Sequence, residues 1–375
     1  MNIGSRLERA RALMSEHAID AIICGTGPSF QYLSGIRARW QREHEPETPD
    51  WLFLLTPDRA YAVHCGENAD LANAQVEVLQ VKSYDEIQTA LGDLLVGRRI
   101  GLNDTHQQYL ETLVKSALPD AECTKVDSLL NPLRVIKDSD EIRLLREAVA
   151  LTDEVMQKVA AFIRPEITQL ELQSLIAQTG LKLGAEDVSF PPTALFTKSG
   201  TEPSDSPFVY PKEQGLVKGS SIAFDFGFVL NGYCSDFGRS FYCGNAPPYI
   251  SGAYSALQQS QCELLSKMKP YETKLNELFG IIEEALDRRG YGDRLRARLP
   301  DGTLGHQIGI DLHEEPWLRN ESDIVLEPGM VMAIEPKLWF PGEYYLRVED
   351  IVLITEQGAE SLTRFCRDMF ELPLR

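Results

Sequence analysis

Five residues that could bind metal ions lie in stretches of sequence that otherwise predict buried strands: Asp225, Asp236, His306, Glu335 and Glu349. Burying an ionised carboxylate costs several kcal/mol unless a cation or a set of hydrogen bonds compensates it. Carboxylate oxygens with one imidazole nitrogen suit Mn²⁺, Co²⁺, Fe²⁺ or Zn²⁺. Because four carboxylates carry more negative charge than one divalent ion balances, the set predicts two ions that share bridging carboxylates. Such a pair can hold a hydroxide between its ions and polarise a carbonyl group.

The two aspartates flank a turn signal. Asp225 and Asp236 lie on either side of Asn231-Gly232, a dipeptide typical of a tight hairpin. A simple hairpin centred there would place both carboxylates on adjacent strands, close enough to share an ion. Taken alone, the pair could instead be turn carboxylates that only cap backbone amides.

The histidine lies in the segment GHQIGIDLHEEP, which carries a second one seven residues later. This spacing between His306 and His313 is not that of a helical HExxH motif. In an extended strand it would direct the two rings to opposite faces, unless a bulge at Gly305 or Gly309 intervenes. A satisfied core histidine is the alternative.

The glutamates follow apolar runs, in MAIEP and LRVED. Acidic residues at such positions break the expected pattern of a buried strand. Singly, each could be an edge-strand ion-pair partner, and Glu349 could simply pair with Arg347. Five such exceptions together favour one metal centre over five independent explanations.

The surrounding elements divide the chain in two. Residues 1–131 alternate helix and strand patterns and predict an α/β domain, including a strand pair around Pro57-Asp58. A helix that starts near Asp138 opens the second region, 132–375. There, a long helical stretch from about Ala253 to Arg289 lies between strand-rich segments, which predicts an α+β domain with a largely antiparallel sheet.

Composition narrows the function classes. The 375 residues are 43% hydrophobic and 25% charged, as in a globular protein with about two domains. The formal charge of −19 disfavours nucleic acid and membrane surfaces as partners. No apolar run approaches the roughly 18 residues of a membrane span, and the start lacks a signal-peptide pattern. Seven scattered cysteines without a CxxC pair predict a reducing, cytoplasmic location.

The order and local contexts of the five residues resemble the pita-bread metallopeptidases. This family includes methionine aminopeptidase, Xaa-Pro aminopeptidase and prolidase, with creatinase as a non-metal relative. The matching stretches are FDFGFVLNGYCSDFGRSF, GHQIGIDLHEEP, AIEPKLW and LRVEDIVLITEQGAESLT, and LRVIKDSDEIRLLREA resembles the first helix of that fold. The resemblance implies an α+β fold, with a pita-bread catalytic domain at 132–375 preceded by a creatinase-type N-terminal α/β domain at 1–131.

The resemblance also implies roles for individual residues. Asp225 would chelate one divalent ion, and His306 and Glu335 the other, with Asp236 and Glu349 bridging both; Mn²⁺ is the first expectation, and Co²⁺, Zn²⁺ or Fe²⁺ the alternatives. Glu335 would also accept a proton from the attacking water. His313 would hydrogen-bond the substrate or its developing oxyanion, and Arg347 would orient the carboxylates. Tyr233 could play a similar role or simply pack.

One departure from the family affects the expected substrate. These peptidases usually carry a further histidine in the loop after a Ser-Gly pair, where it helps to hold the scissile peptide. Here the loop reads TKSGTEPSDSPFVYPKE, with Ser199-Gly200 present and no histidine at the expected position, about Ser206 or Pro207. The leading hypothesis is an Xaa-Pro dipeptidase or aminopeptidase that cleaves the bond before proline with a metal-bridging hydroxide.

Two alternatives stay open. The first is a non-peptidase enzyme on the same fold, which acts on a small metabolite as an amide or ring C–N hydrolase (ectoine-hydrolase-like or creatinase-like) or as a lyase. The missing histidine favours it. The second is a binding module without activity, which the complete ligand set disfavours.

A polar loop in the first domain is a candidate lid. In this branch of the family the N-terminal domain of the other subunit can close over the site, which implies a homodimer. The segment SGIRARWQREHEPETPDW offers four side chains for gripping a substrate carboxylate or stacking on a ring: Arg37, Arg39, Trp40 and His44. The alternative is a flexible surface loop. The expected substrate is a small peptide or another small molecule.

Overall fold

The computed structural model describes residues 2–38, 50–65, 76–95, 97–200, 210–299 and 302–372. The chain forms two compact units, Met1–Arg134 and Val135–Arg375. The predicted boundary lies between residues 131 and 132. In the structure a 3-10 turn, Asn131–Arg134, ends the first unit, where the Arg134 guanidinium donates to Ser29 Oγ at 3.2 Å.

The first unit is a six-stranded mixed sheet with five described helices. Its helices are α1 (Ile3–Glu16), α2 (Pro28–Ser34), α3 (Tyr84–Leu94), α4 (Gln107–Ala117) and α5 (Asp127–Leu130). Its strands are β1 (Ala21–Gly25), β2 (Trp51–Leu55), β3 (Ala60–Cys65), β4 (Glu77–Val81), β5 (Arg99–Leu102) and β6 (Glu122–Lys125). The strand order is β4-β3-β2-β1-β5-β6. The predicted strand pair around Pro57-Asp58 is confirmed, since β2 and β3 pair antiparallel from Leu55 opposite Ala60.

The second unit contains four described helices. They are α6 (Ser139–Ala160), α7 (Gln169–Lys182), α8 (Pro248–Lys267) and α9 (Leu275–Asp287). Asp138 starts α6 as predicted, because its carboxylate accepts from the Glu141 amide while Glu141 accepts from the Asp138 amide. The single helical stretch expected from Ala253 to Arg289 is wrong: α8 ends before Pro270, which cannot continue a helix.

The strands of the second unit form several small sheets. The strands are β7 (Asp187–Val188), β8 (Thr193–Lys198), β9 (Ser220–Phe226), β10 (Phe228–Leu230), β11 (Tyr233–Cys234), β12 (Phe237–Cys243), β13 (Gly305–Gln307), β14 (Val331–Ile334), β15 (Lys337–Phe340), β16 (Tyr344–Arg347), β17 (Asp350–Thr355), β18 (Gly358–Ser361) and β19 (Phe370–Leu372). The sheet orders are β19-β12-β9-β8, β13-β14-β17-β18, β11-β10-β7 and the pair β15-β16. Described pairings here are antiparallel except β12 with β19, as the largely antiparallel expectation requires.

Two apolar cores support these sheets. One is rich in phenylalanines and lies among α6, α7 and the β8–β9–β12 sheet. The other packs α8 and α9 against β14, β15, β16 and β17. Within the described part of the chain, none of the helices combines the length and the apolar character needed to cross a bilayer.

Candidate metal centre

Asp225 is placed by strand alternation on β9. Its neighbours Phe224 and Phe226 are fully buried in the phenylalanine-rich core, so the Asp225 side chain points to the opposite face of the sheet. That face meets the centre, where Asp225 lies opposite Gly238 of β12. The Asp225 side chain is 27% exposed, so the centre is open to solvent on this side.

The predicted turn at Asn231-Gly232 reverses the chain and brings Asp236 next to β9. Asn231 and Gly232 have φ angles of 53° and 77°, and Leu230 pairs with Tyr233 across them. Such left-handed backbone at both positions is typical of a type I′ hairpin turn. Asp236 directly precedes β12, and its Oδ1 accepts from the Phe237 amide at 2.9 Å. The two aspartates therefore lie at one end of the β9–β12 pair, as the hairpin prediction requires.

His306 and His313 lie on the same side because the chain bends between them. His306 is on β13, but the following segment IGIDLHEEP, predicted to carry a strand, is irregular. An antiparallel bridge between Gln307 and Glu314 folds it back, and the two rings lie 4.6 Å apart. The His306 Nδ1–H donates to the Gln307 carbonyl at 3.0 Å, which leaves Nε2 as a lone-pair donor for a metal.

A buried lysine, which no local sequence pattern indicates, holds this bend. Lys137 donates to Gln307 Oε1 at 3.0 Å and to Glu314 Oε2 at 3.1 Å. The Lys137 and Glu314 side chains are 1% and 3% exposed, so the ion pair is sealed from water. Because Gln307 and Glu314 are the chain neighbours of His306 and His313, Lys137 helps to position both histidines.

Glu335 and Glu349 are placed by strand ends. Glu335 follows β14, and Glu349 precedes β17, the strand that pairs with β14. The Glu349 amide donates to the Gly238 carbonyl at 2.9 Å. This bridge joins β17 to the sheet that carries the aspartates, so ligands far apart in sequence meet at one point.

Three of the five predicted ligands form a compact buried group. One ligand atom from each of Asp236, His306 and Glu349 lies within 4.8 Å of the others, and His306 Nε2 is 3.5 Å from Asp236 Oδ2. Neither Glu349 carboxylate oxygen has a hydrogen-bond partner, although the residue is completely buried. Glu349 Oε2 is 3.8 Å from Arg347 Nη1, too far for a hydrogen bond, so this buried carboxylate fits a cation ligand.

The electrostatics of the group agree with this fit. Burial, together with the nearby Asp225 and Glu335 carboxylates, raises the pKa of Asp236 well above its usual range. Burial and the neighbouring Asp236 do the same to the pKa of Glu349. Each of these two buried carboxyl groups is therefore stabilised by binding a proton or a metal ion, and one divalent cation can stabilise both.

The other two predicted ligands are in closer contact with side-chain cations than Glu349, which lies 3.8 Å from Arg347. Arg347 lies between Asp225 and Glu335, donating to Glu335 Oε2 at 3.1 Å and ion-pairing with Asp225. Lys337 also ion-pairs with Glu335. Burial opposes ionisation of Glu335, but Lys337 and Arg347 outweigh it and lower the pKa of Glu335 to about 2.

Lys337 is the residue that sequence reasoning missed in the centre itself. In AIEPKLW the glutamate breaks the apolar pattern, whereas a lysine next to a strand is usually solvated. Its position on a hairpin that faces the ligands becomes evident only from the strand register, in which Lys337 lies opposite Arg347.

His313 stands at the rim with an aromatic partner. Its ring stacks on Trp317 at 5.1 Å and an interplanar angle of 24°. Partial desolvation and the adjacent His306 lower the pKa of His313 to about 4, so the neutral ring predominates at pH 7. Tyr233 lies elsewhere: its hydroxyl is 3.1 Å from Glu141 of α6, which agrees with the packing alternative.

Among the predicted substrate residues of segment 35–50, the structure describes Arg37 alone. Arg37 is half-buried in the first unit, after α2. Arg39, Trp40 and His44 lie outside the described residues, as do Ser206 and Pro207.

Comparisons with known proteins match both parts of the chain to described families. Residues 143–356 match the family described as Metallopeptidase family M24, and residues 6–136 match the Creatinase/Prolidase N-terminal domain. YkvY of Bacillus subtilis, provisionally named a dipeptidase, is 33% identical over 377 residues, which cover 98% of this chain and 100% of that protein. The Xaa-Pro dipeptidase of Pyrococcus furiosus is 26% identical over 364 residues, 97% of this chain and 99% of that one.

The fold agrees as well. The structure of an Xaa-Pro dipeptidase from Bacillus anthracis matches with a TM-score of 0.84 and 25% identity, covering 99% of this chain and 100% of that one. The expected pita-bread domain with a creatinase-type domain before it is confirmed. The chain therefore belongs to metallopeptidase family M24, a family of hydrolases.

Proposed function

We propose that the protein is a dinuclear metal-dependent hydrolase that cleaves the bond before proline in a small Xaa-Pro peptide. The buried Glu349 carboxylate beside Asp236 and His306, which accepts no hydrogen bond, is the observation that carries the proposal, because this acidic group favours bound cations. The names of the relatives from Pyrococcus furiosus and Bacillus anthracis, both Xaa-Pro dipeptidases, support the substrate class.

The proposed ligands are the set predicted from the sequence. Asp225 would bind one ion, His306 and Glu335 the other, and Asp236 and Glu349 both. Two divalent ions at this position would supply Lewis-acid activation of a water molecule and of the scissile carbonyl. Mn²⁺ is proposed as the first metal to test, with Co²⁺, Zn²⁺ and Fe²⁺ after it.

The protein groups then have separate tasks. Glu335 would accept the proton of the attacking water, the role that the resemblance to the family implies. His313, at the rim beside His306, donates a hydrogen bond to the oxygen of the carbonyl that develops negative charge. Arg347 fixes the carboxylates of Asp225 and Glu335 relative to each other.

The test is a substrate panel with metal-loaded protein. We expect turnover of Xaa-Pro dipeptides, and its loss after a chelator removes the ions. The comparison panel contains dipeptides without proline, prolyl tripeptides and small cyclic amides. Absence of turnover of all prolyl peptides with Mn²⁺, Co²⁺ and Zn²⁺ would refute the proposal.

A second candidate follows from one observation, the absence of a histidine near Ser206 and Pro207. A non-peptidase hydrolase or lyase acting on a small metabolite would not need that residue. Turnover of the cyclic amides alone would favour it. The homodimer, with segment 35–50 closing over the neighbouring site, stays a prediction that mass measurement in solution tests.

A further inference from the structure

One face of the β15–β16 hairpin points at the proposed metal centre. Lys337 pairs with Arg347 in the register, and Trp339 pairs with Tyr345. Because side chains alternate along a strand, these residues share one face, while Leu338 and Leu346 are buried in the core on the other. The centre-facing side therefore carries two cations followed by two aromatic rings.

Two divalent ions would already neutralise the four ligand carboxylates, and Lys337 adds a further positive charge. Four ligand carboxylates contribute four negative charges, whereas Arg347, Lys337 and two divalent ions contribute six positive ones. The loaded centre would thus be cationic, which favours an anionic substrate. Arg347 already contacts three ligand carboxylates, those of Asp225, Glu335 and Glu349. Lys337 contacts Glu335, so it is the better placed of the two cations to bind a substrate anion.

The protein partner of Lys337 is itself a proposed metal ligand. Its ammonium pairs with Glu335, and the Lys337 side chain is only 16% exposed. Ions that take up the Glu335 oxygens weaken this pair. A largely buried ammonium without an anion costs several kcal/mol, so Lys337 would then gain from a second anionic partner.

We infer that Lys337 binds the free C-terminal carboxylate of the substrate and selects dipeptides over longer peptides. This inference rests on the proposed function. In a dipeptide the carboxylate carbon is three bonds from the scissile carbonyl carbon, roughly 3–4 Å away, whereas each further residue moves the C-terminus by up to about 3.5 Å. Only the short separation matches a cation that touches a metal ligand.

The aromatic pair extends the same site. Trp339 and Tyr345 are partly exposed next to Lys337, and the Arg296 guanidinium lies 5.7 Å from the Trp339 ring centre. A pyrrolidine ring whose carboxylate binds Lys337 would pack against this apolar surface. The hairpin thereby matches both parts of a C-terminal proline, its ring and its charge.

The experiment compares Ala-Pro with its C-terminal amide, using Mn²⁺-loaded wild type, Lys337→Met and Lys337→Arg. Arg294→Met is the matched control, because the Arg294 guanidinium also lies against this hairpin but is 5.2 Å from the ring centre of Phe340, on the opposite face. We expect Lys337→Met to raise KM for Ala-Pro tenfold or more, with less than a twofold change for the amide. Lys337→Arg should keep most of the preference, and Arg294→Met all of it.

Two further readouts separate this inference from the proposed function. Metal content is measured by mass spectrometry, and L-proline binding by calorimetry. We expect unchanged metal content in Lys337→Met with at least tenfold weaker L-proline binding. Equal losses with acid and amide, a fall in metal content, or undiminished L-proline binding would each overturn the role of Lys337. If wild type cleaves neither compound, the proposed function fails while L-proline binding still decides whether Lys337 holds a carboxylate.

Discussion

Gly238 and Glu349 form an antiparallel bridge at the centre, with the Glu349 amide donating to the Gly238 carbonyl at 2.9 Å. The contact is close because residue 238 has no side chain. A Cβ atom there would lie 2.7 Å from Glu349 Oε2 and would also meet the Arg347 side chain. Glycine at this position therefore sets how near the two sheets approach.

Gly238→Ala should displace Glu349 and Arg347. Overpacking of this kind costs about 1–3 kcal/mol, so we expect lower metal content and a lower urea midpoint. Gly280→Ala is the control, since a Cβ at that position in α9 meets nothing within 4 Å and should leave the centre intact while stabilising the helix by up to about 1 kcal/mol. Full metal occupancy in Gly238→Ala would contradict the argument.

Asp236→Ala should lose both ions, because the proposed bridge serves both. Elemental analysis of purified protein measures metal per chain, and we expect a fall from about two ions toward zero. Asp85→Ala removes an exposed carboxylate from the first turn of α3 and should leave metal content unchanged. Retention of one ion by Asp236→Ala would show that its carboxylate does not bridge.

Lys137→Met should destabilise the second unit strongly. It leaves the Glu314 carboxylate buried without its cation, which costs about 3–5 kcal/mol. Combining it with Glu314→Gln should recover much of that loss, because the uncompensated charge is gone. Denaturant unfolding of both single variants and the double variant gives the coupling energy. Additive losses would mean that the pair contributes no coupling.

Glu263→Gln should change the acid sensitivity of α8. Glu263 accepts hydrogen bonds from Lys267, Arg288 and Arg289, which lower the pKa of Glu263 to about 2. A lowered folded-state pKa contributes stability above the unfolded value, near 4.5, and that stability is lost as pH falls toward 2. We expect a loss of about 1 kcal/mol at pH 7, and a smaller one in high salt.

The measurement for Glu263 is unfolding across pH. The difference between wild type and Glu263→Gln should be constant from pH 7 to 5 and shrink below pH 4.5. Glu272→Gln removes an exposed glutamate 3.7 Å from Lys269 and should show a far smaller difference. A difference for Glu263→Gln that persists undiminished at pH 3 would exclude the charge explanation.

The sequence predicted best where the local pattern decides the outcome. Alternation places Asp225 on the face opposite its phenylalanine neighbours, and the Asn231-Gly232 turn returns Asp236 toward it. The sequence left open whether His306 and His313 approach each other, because their approach depends on a bend held by Lys137, which is distant in the chain. Local pattern carries no signal for such a long-range contact.

The direction of the Lys337 side chain is a second feature that local sequence patterns do not determine. Its type and neighbours are visible in the sequence, but its direction depends on which residue it pairs with across the hairpin. The break between α8 and α9, which the expected single helix missed, could in contrast have been predicted from Pro270 alone, because its ring cannot continue a helix. Register and tertiary contact are what the sequence alone leaves open.

The β15–β16 hairpin is a two-stranded sheet of its own, which hydrogen-bonds to the larger sheet that carries the aspartates through the Thr197 and Ser240 hydroxyls. Exchanges at positions 337, 339 and 345 can therefore alter what fits beside the ions without disturbing the strands that hold them. Proteins with the same metal ligands can therefore differ in the peptides that they cleave. We expect such differences in specificity to arise first in the residues of this hairpin.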